Sequence, residues 1–247
     1  MGIQGDSKRM IRIYGMIGGF LTMVLTGALW SLDHRRQNSE KSSAGRLIIQ
    51  AAGFGFLPAA AVWNAFKSYD GVLSKGTALI STLPAVPWLT QNGYYIPCRI
   101  DLAAALTAFI ILCIWLICKK KDLIPAADLL LISVTVWAGI RMVTESFYET
   151  SMLTVNGHPV LRYAACAVVL VCLAGWSVRR EKRQKNTLQL VIDWTGALLS
   201  AAAVVITSEK VLTTGSEIGD FALISGAALL MTGITLIVGA DCRKGVS

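Results

Sequence analysis

The stretch DLLLISVTVWAGIRMVTESFYE, residues 128–149, decides the fold class, because in it a long apolar run ends in charged side chains. Apolar residues dominate as far as Ile140, and Arg141 and Glu145 follow directly. Ionisable groups at membrane depth cost about 2.5–3.5 kcal/mol each on insertion scales, so they usually serve a function. The i,i+4 spacing predicts that the two side chains share a helix face and pair. A snorkelling arginine neutralised by a glutamate is the purely structural alternative.

The composition is that of a membrane protein. Of the 247 residues, 54% are hydrophobic and only 15% are charged, and the mean hydropathy is +0.58. A soluble domain carries about 25% charged residues. The net charge of +8 comes mostly from short Lys/Arg clusters between apolar runs, which is typical of cytoplasmic loops rather than of a nucleic-acid-binding surface. We therefore expect an integral membrane protein without a nucleic-acid partner.

Seven apolar segments approach the roughly 20 residues that a transmembrane helix needs. Between the second and the third, residues 76–90 form a shorter apolar stretch that contains Pro84 and Pro87. Its length and its prolines favour a re-entrant or interfacial segment over an eighth span. The predicted fold is an all-α integral membrane protein with about seven transmembrane helices and one short re-entrant or interfacial segment. The predicted spans are residues 13–31, 47–66, 100–118, 124–143, 160–178, 188–207 and 220–240.

The basic residues predict the orientation of these spans. With seven spans, the clusters within 35–46, 119–121, 179–185 and 243–244 all fall on one side of the membrane. The positive-inside rule makes that side cytoplasmic. We expect a protein of a bacterial-type cytoplasmic membrane, with its N-terminus outside and its C-terminus inside. Arg141 and Glu145 then lie at the outer end of the fourth span.

Two further polar residues are predicted at the same outer boundary. Arg12 and Tyr14 open the first span, within SKRMIRIYGMIGGF. The small residues that follow allow another helix to approach closely; they are Gly15, Gly18 and Gly19. A guanidinium group can bind two phosphate oxygens at once through its planar fork. The arginines, tyrosine and glutamate together therefore predict a site for a lipid phosphate or a developing oxyanion.

The sequence predicts neither a metal nor a cofactor. The six cysteines and two histidines show no metal-site spacing, and four of the cysteines lie inside apolar runs, where they act as small apolar side chains. Three carboxylates, Asp101, Asp128 and Asp193, lie near predicted span boundaries. This position favours interfacial capping or pairing over the midplane ion path of a transporter.

Three segments resemble the prolipoprotein diacylglyceryl transferases. IRIYGM, residues 11–16, looks like the opening of that family's first span. Residues 128–153 resemble a late span of the family, in which an apolar helix is followed by G-x-x-R-x-x-x-E or a close variant and by a Ser in a short outer loop; Arg141, Glu145 and Ser151 fall on the matching positions. The stretch YYIPCRIDLAAA, residues 94–105, shares a proline with a third family segment. The family has seven spans, an external N-terminus and outward-facing chemistry, in agreement with the topology predicted from the charges.

The resemblance implies roles for individual residues. The family transfers a diacylglyceryl group from phosphatidylglycerol to the thiol of a lipobox cysteine in a prolipoprotein. Arg141 would bind or polarise the lipid headgroup, Glu145 would orient Arg141, and Tyr14 would help to position the lipid. The implied substrate-binding residues are Arg12, Asn64, Ser151 and His158. Residues 1–178 would be the transferase-like membrane domain, and residues 179–247 an additional transmembrane hairpin that serves as a brace or a partner interface.

The alternative function is that of a catalytically inactive relative, which binds lipid or peptide as an accessory membrane protein. The family's central His-Gly-Gly run and G-R-x-G-N-F-x-N-G-E stretch supply other essential groups, and both are absent from this chain. Whether the chain is an enzyme depends on whether a further cationic side chain reaches Arg141. The sequence offers Arg12, Arg99, Arg162 and His158.

Overall fold

The computed structural model describes residues 13–29, 44–68, 87–91, 94–118, 126–147, 154–155, 158–181, 187–214 and 218–244. Helices make up most of these ranges. They are α1 Ile13–Leu29, α2 Ala44–Ser68, α3 Pro97–Cys118, α4 Ala126–Thr144, α5 Val160–Glu181, α6 Thr187–Thr214 and α7 Ile218–Lys244. A 3-10 turn, Glu145–Phe147, continues α4.

Six of these helices, α2 to α7, are long and apolar enough to cross a membrane. The described part of α1 is a shorter apolar helix, Ile13–Leu29. The chain is therefore an all-α, multi-pass membrane protein, as its composition predicts. The count of seven spans stays a prediction.

Several helices extend further than the predicted spans, most of all α6. Helix α5 continues past residue 178 to Glu181, and α6 continues past residue 207 to Thr214. A span predicted from hydropathy covers only the apolar part of a helix, whereas the helix itself ends where its backbone hydrogen bonds end. Ser208, Glu209 and Lys210, which the sequence places in the loop between the last two spans, are therefore helical.

Short antiparallel strand pairs precede two of the helices. Strand β1 (Thr90–Gln91) pairs with β2 (Tyr94–Tyr95) just before α3. Strand β3 (Thr154–Val155) pairs with β4 (His158–Pro159) just before α5. Helix α3 begins at Pro97, a position that suits proline because the first helical N–H has no partner in the helix. Most of the predicted re-entrant segment, residues 76–90, lies outside the described residues.

The chain divides into two compact units. The first comprises Met1–Leu73 and Cys98–Val134, and the second comprises Ser74–Pro97 and Thr135–Ser247. Helix α4 thus contributes its first half to one unit and its second half to the other. The predicted division into residues 1–178 and 179–247 follows family resemblance, which these units do not test.

In the first unit, glycines let helices approach to backbone distance. A methyl group added to Gly19 of α1 would lie 3.1 Å from the carbonyl oxygen of Ala59 in α2, so the close approach predicted for this glycine-rich stretch is confirmed. One added to Gly53 of α2 would lie 2.7 Å from the backbone nitrogen of Leu130 in α4. Ser133 of α4 donates a hydrogen bond to the Gly53 carbonyl oxygen over 2.6 Å. Close contact therefore allows an interhelical hydrogen bond, which is how helices associate in lipid.

In the second unit, α5, α6 and α7 pack against one another. Trp176 of α5 is fully buried, and a methyl group on Gly239 of α7 would lie 2.8 Å from its ring. Met142 of α4 and Met231 of α7 are also fully buried. The second half of α4 therefore belongs to the same core as the last three helices, and its final residues are held against them.

We expect Gly53→Ala to lower the free energy of unfolding by about 1–3 kcal/mol, because the added methyl meets backbone atoms that side-chain rotation cannot move. The matched control is Gly175→Ala in α5, where a methyl group meets nothing within 4 Å. That substitution should be neutral or stabilising by up to about 1 kcal/mol, since alanine is the better helix former. Unfolding of the purified protein in detergent measures both, and equal stability of the two variants would contradict the packing described for Gly53.

Candidate functional site

The centre of the site is a buried ion pair at the end of α4. Nη2 of Arg141 donates to Oε2 of Glu145 over 2.6 Å, and the two side chains are 6% and 1% exposed. The pairing predicted from the i,i+4 spacing is thus confirmed. Arg141 lies in the last turn of α4, where the helix dipole favours a cation. A glutamate one turn further on, in the 3-10 turn, supplies the opposite charge from the same stretch of chain.

An aromatic contact holds the turn that carries Glu145. Phe147, the last residue of the 3-10 turn, is buried. Its ring packs edge-to-face on that of Phe221 in α7, with the ring centroids 5.3 Å apart. Such pairs favour this geometry because the positive edge of one ring meets the negative face of the other. The contact ties the end of α4 to the start of α7 and thereby positions Glu145.

Arg162 is the further cation at this end of the helices. It lies in the first turn of α5 and is only 5% exposed. Its Nη1 donates to Oγ of Ser208 in α6, and its Nη2 donates to Oγ of Ser146 in the 3-10 turn, each over 2.9 Å. One guanidinium group therefore links three elements of the second unit.

The two arginines and the glutamate act electrostatically as a group. Arg162 is close enough to Glu145 for attraction and to Arg141 for repulsion. Two positive charges face one negative charge, so the three side chains carry a net charge of one positive unit. We call Arg141, Glu145, Arg162 and the two serines bonded to Arg162, Ser146 and Ser208, the polar cluster.

Two further polar pairs lie beside the polar cluster. The hydroxyl of Tyr163 in α5 donates to the carboxylate of Glu209 in α6. Nζ of Lys210 in α6 lies 2.8 Å from Oδ1 of Asp220 in the first turn of α7. These contacts fasten α5 to α6 and α6 to α7 at the same end as the polar cluster. The carboxylates of Glu209 and Asp220 therefore have partners outside the cluster.

A thiol lies one helical turn from Arg162. Sγ of Cys166 donates to Sδ of Met142, over 3.3 Å, and both residues are buried. One turn further along α5 from Arg162, the contact between α4 and α5 is therefore between apolar side chains. This agrees with the predicted role of the cysteines in apolar runs as small core side chains.

The structure places Tyr14 and Asn64 in the first unit. Tyr14 is exposed on α1, and Asn64 is buried near the end of α2. Their predicted roles beside Arg141, in positioning and binding the lipid, stay predictions. Two other predicted substrate-binding residues, Arg12 and Ser151, lie outside the described residues, and His158 is described as part of β4 by its backbone alone.

The three carboxylates predicted near span boundaries lie near helix ends, with Asp101 the fifth residue of α3. Asp128 is in the first turn of α4. Asp193, in the second turn of α6, accepts a hydrogen bond from Gln189 over 3.1 Å. Among the residues that the structure describes, no three His, Cys, Asp or Glu side chains are grouped so that they could hold a metal ion.

Sequence reasoning named Arg162 only as one of four cations that could reach Arg141, and it missed Ser208 and Glu209. A local pattern could have found them. The run Ser208-Glu209-Lys210 adds polar side chains directly to an apolar helix, as Arg141 and Glu145 do for α4. A prediction that continued α6 for two turns beyond its apolar part would have made these three residues helical. It would also have placed them at the same end of the helices as Arg162, which lies in the first turn of α5.

We expect Glu145→Gln to lower the free energy of unfolding by roughly 3–5 kcal/mol, because it leaves the buried Arg141 without its counter-charge. Lys210→Gln is the matched control at the same end of the helices. The Lys210 side chain is 53% exposed, so removal of its ion pair should cost about 1 kcal/mol or less. Unfolding in detergent compares the two. A loss for Glu145→Gln no larger than that for Lys210→Gln would contradict a buried, uncompensated charge.

No family model, curated protein or solved structure matches this chain. The relation to the prolipoprotein diacylglyceryl transferases is therefore a hypothesis from three short segments, and the polar cluster is the independent ground for a functional proposal.

Proposed function

We propose that this chain binds the headgroup of an anionic phospholipid, such as phosphatidylglycerol, at the polar cluster. The observation that carries the proposal is that, among the described residues, two buried guanidinium groups lie around one carboxylate, Glu145. A buried charge is costly unless an opposite charge and hydrogen bonds compensate it. A phosphodiester supplies one negative charge and oxygen acceptors that match the guanidinium fork.

The position of the polar cluster along its helices supports a lipid as the ligand. Arg141, Arg162 and Ser208 each lie near an end of a long apolar helix. Headgroups of a bilayer occupy the level of such helix ends. We place this end at the outer surface of a bacterial-type cytoplasmic membrane, with seven spans, the N-terminus outside and the C-terminus inside. The supporting argument is the positive-inside distribution of the basic clusters. Residues 76–90 then form the short re-entrant or interfacial segment on the same outer side.

A lipid-binding accessory protein needs no more than this arrangement. Lipobox peptides of prolipoproteins are the second proposed partner, because the same outer site would receive the chain that carries the acceptor cysteine. In the family that the sequence resembles, the central motifs add further essential groups. Since those motifs are missing here, binding without turnover is the function that the side chains support best.

Diacylglyceryl transfer is the second candidate, favoured by the observed Arg141–Glu145 pair in the family's R-x-x-x-E spacing. In this reaction a lipobox thiolate attacks a glycerol carbon of phosphatidylglycerol. A C–S bond forms and the C–O bond to phosphate breaks, so glycerol phosphate leaves with the electron pair and the thiol proton passes to solvent or to a base. Arg141 would stabilise the departing phosphate, and Glu145 would hold Arg141 in place.

We expect the wild-type protein in nanodiscs to bind phosphatidylglycerol in preference to phosphatidylcholine. Arg141→Ala should lose this preference, because it reduces the net charge of the two arginines and the glutamate to zero. Native mass spectrometry of the bound lipids measures the ratio. The exposed-site variant Lys210→Gln should retain it. Equal binding of both lipids by the wild type would refute the proposed function.

A vesicle assay separates the two candidates. Labelled phosphatidylglycerol and a lipobox peptide are mixed with the purified protein and with Arg141→Ala. If the chain is a binding protein, neither sample transfers label to the peptide cysteine, while the wild type still binds the lipid. Label on the cysteine with the wild type but not with Arg141→Ala would instead establish the transferase.

A further inference from the structure

Arg162 has a hydrogen-bond donor that the rest of the described chain leaves unused. A guanidinium group carries five N–H donors and no acceptor. The described hydrogen bonds of Arg162 run from Nη1 to Ser208 and from Nη2 to Ser146. Its Nε is buried and has no hydrogen-bond partner among the described residues. The unused Nε–H lies on the edge of the guanidinium plane that also carries Nη2, and in arginine this edge can bind two oxygens of one phosphate.

The described carboxylates at this end of the helices already have partners. Glu145 forms the close ion pair with Arg141, and Glu209 accepts from Tyr163. The groups that accept hydrogen bonds from Arg162 are therefore neutral hydroxyls. A guanidinium removed from water is stabilised far better by an anion than by hydroxyl groups alone. Among the residues that the structure describes, Arg162 is thus the arginine of the polar cluster without a close carboxylate partner of its own.

A second buried donor without a partner among the described residues lies close in sequence to Ser146, which binds Arg162. Thr144 ends α4 and is 3% exposed, and its Oγ1 has no hydrogen-bond partner among the described residues. On a helix, a residue three positions after Arg141 shares its face. Thr144 is also two residues before Ser146, which binds Arg162 directly. Arg162 Nε and Thr144 Oγ1 are therefore two buried donors without an acceptor among the described residues.

We propose that Arg162, rather than Arg141, makes the direct contact with the phosphate oxygens of the bound headgroup. Thr144 is the second donor, and Arg141 is a positioning residue that Glu145 holds. This inference rests on the proposed lipid-binding function and assigns its ligand contacts. It also explains the positions of Ser146 and Ser208, because they hold the two Nη atoms of Arg162 and leave its buried Nε–H without an acceptor among the described residues.

Lysine substitution tests the assignment, because lysine keeps the charge and loses the planar fork. Phosphatidylglycerol binding is measured in nanodiscs by native mass spectrometry for full-length Arg162→Lys, Arg141→Lys and Lys210→Gln. We expect Arg162→Lys to bind phosphatidylglycerol about tenfold more weakly than the wild type, the effect of losing one charged hydrogen bond. The loss for Arg141→Lys should be smaller, and Lys210→Gln should bind as the wild type does. Glycerol 3-phosphate is titrated in a parallel arm.

The outcomes separate this inference from the function on which it rests. If the wild type does not distinguish phosphatidylglycerol from phosphatidylcholine, the proposed function fails. If it does, but Arg141→Lys loses more affinity than Arg162→Lys, the assignment of Arg162 is overturned while the function stands. Binding of free glycerol 3-phosphate as tight as that of the lipid would make this a site for a soluble phosphate ester and overturn the lipid assignment. Variants are compared at matched thermal stability. Thr144→Val, which retains both arginines, should weaken phosphatidylglycerol binding less than Arg162→Lys does.

Discussion

A guanidinium group removed from water needs an anion, and the shared end of α4, α5, α6 and α7 is organised around that requirement. For Arg141 that anion is the carboxylate of Glu145, which lies 2.6 Å from Nη2 and comes from the same stretch of chain. The Phe147–Phe221 contact then fixes the turn that carries Glu145. Arg162 enters the same region from α5 and is held by hydroxyls of two other elements. The helix ends are thereby joined by polar side chains together with one aromatic contact.

Burial separates the two kinds of ion pair at this end. The Arg141–Glu145 pair is almost fully removed from solvent, while Lys210 remains half exposed beside Asp220. An exposed pair contributes little because water and salt screen it, and a buried pair is costly to break because each partner depends on the other. The buried Arg141–Glu145 pair therefore has the larger effect on the local electrostatic field. The exposed Lys210–Asp220 pair mainly fastens α6 to α7.

The Arg141–Glu145 pair was predictable because helical periodicity alone brings residues four apart to one face. The six long apolar helices followed equally from local hydropathy. The bond between Arg162 and Ser208 joins residues 46 positions apart, and it depends on the register in which α5 packs against α6. Local patterns carry no information on that register. The span limits erred at α6 because Ser208, Glu209 and Lys210 lower the hydropathy while the helical hydrogen bonds continue.

The separation of these contacts along the chain orders the events of synthesis. Arg141 and Glu145 leave the ribosome together, so α4 can enter the membrane with its two charges already neutralised. The hydrogen bond from Arg162 to Ser208 can form only after 46 further residues have been synthesised, which takes about 2–9 s at 5–20 residues per second. During that interval Arg162 lacks its Ser208 acceptor. The polar link between α5 and α6 can therefore form only after α6 has been synthesised, which makes it a late contact in the assembly of this end.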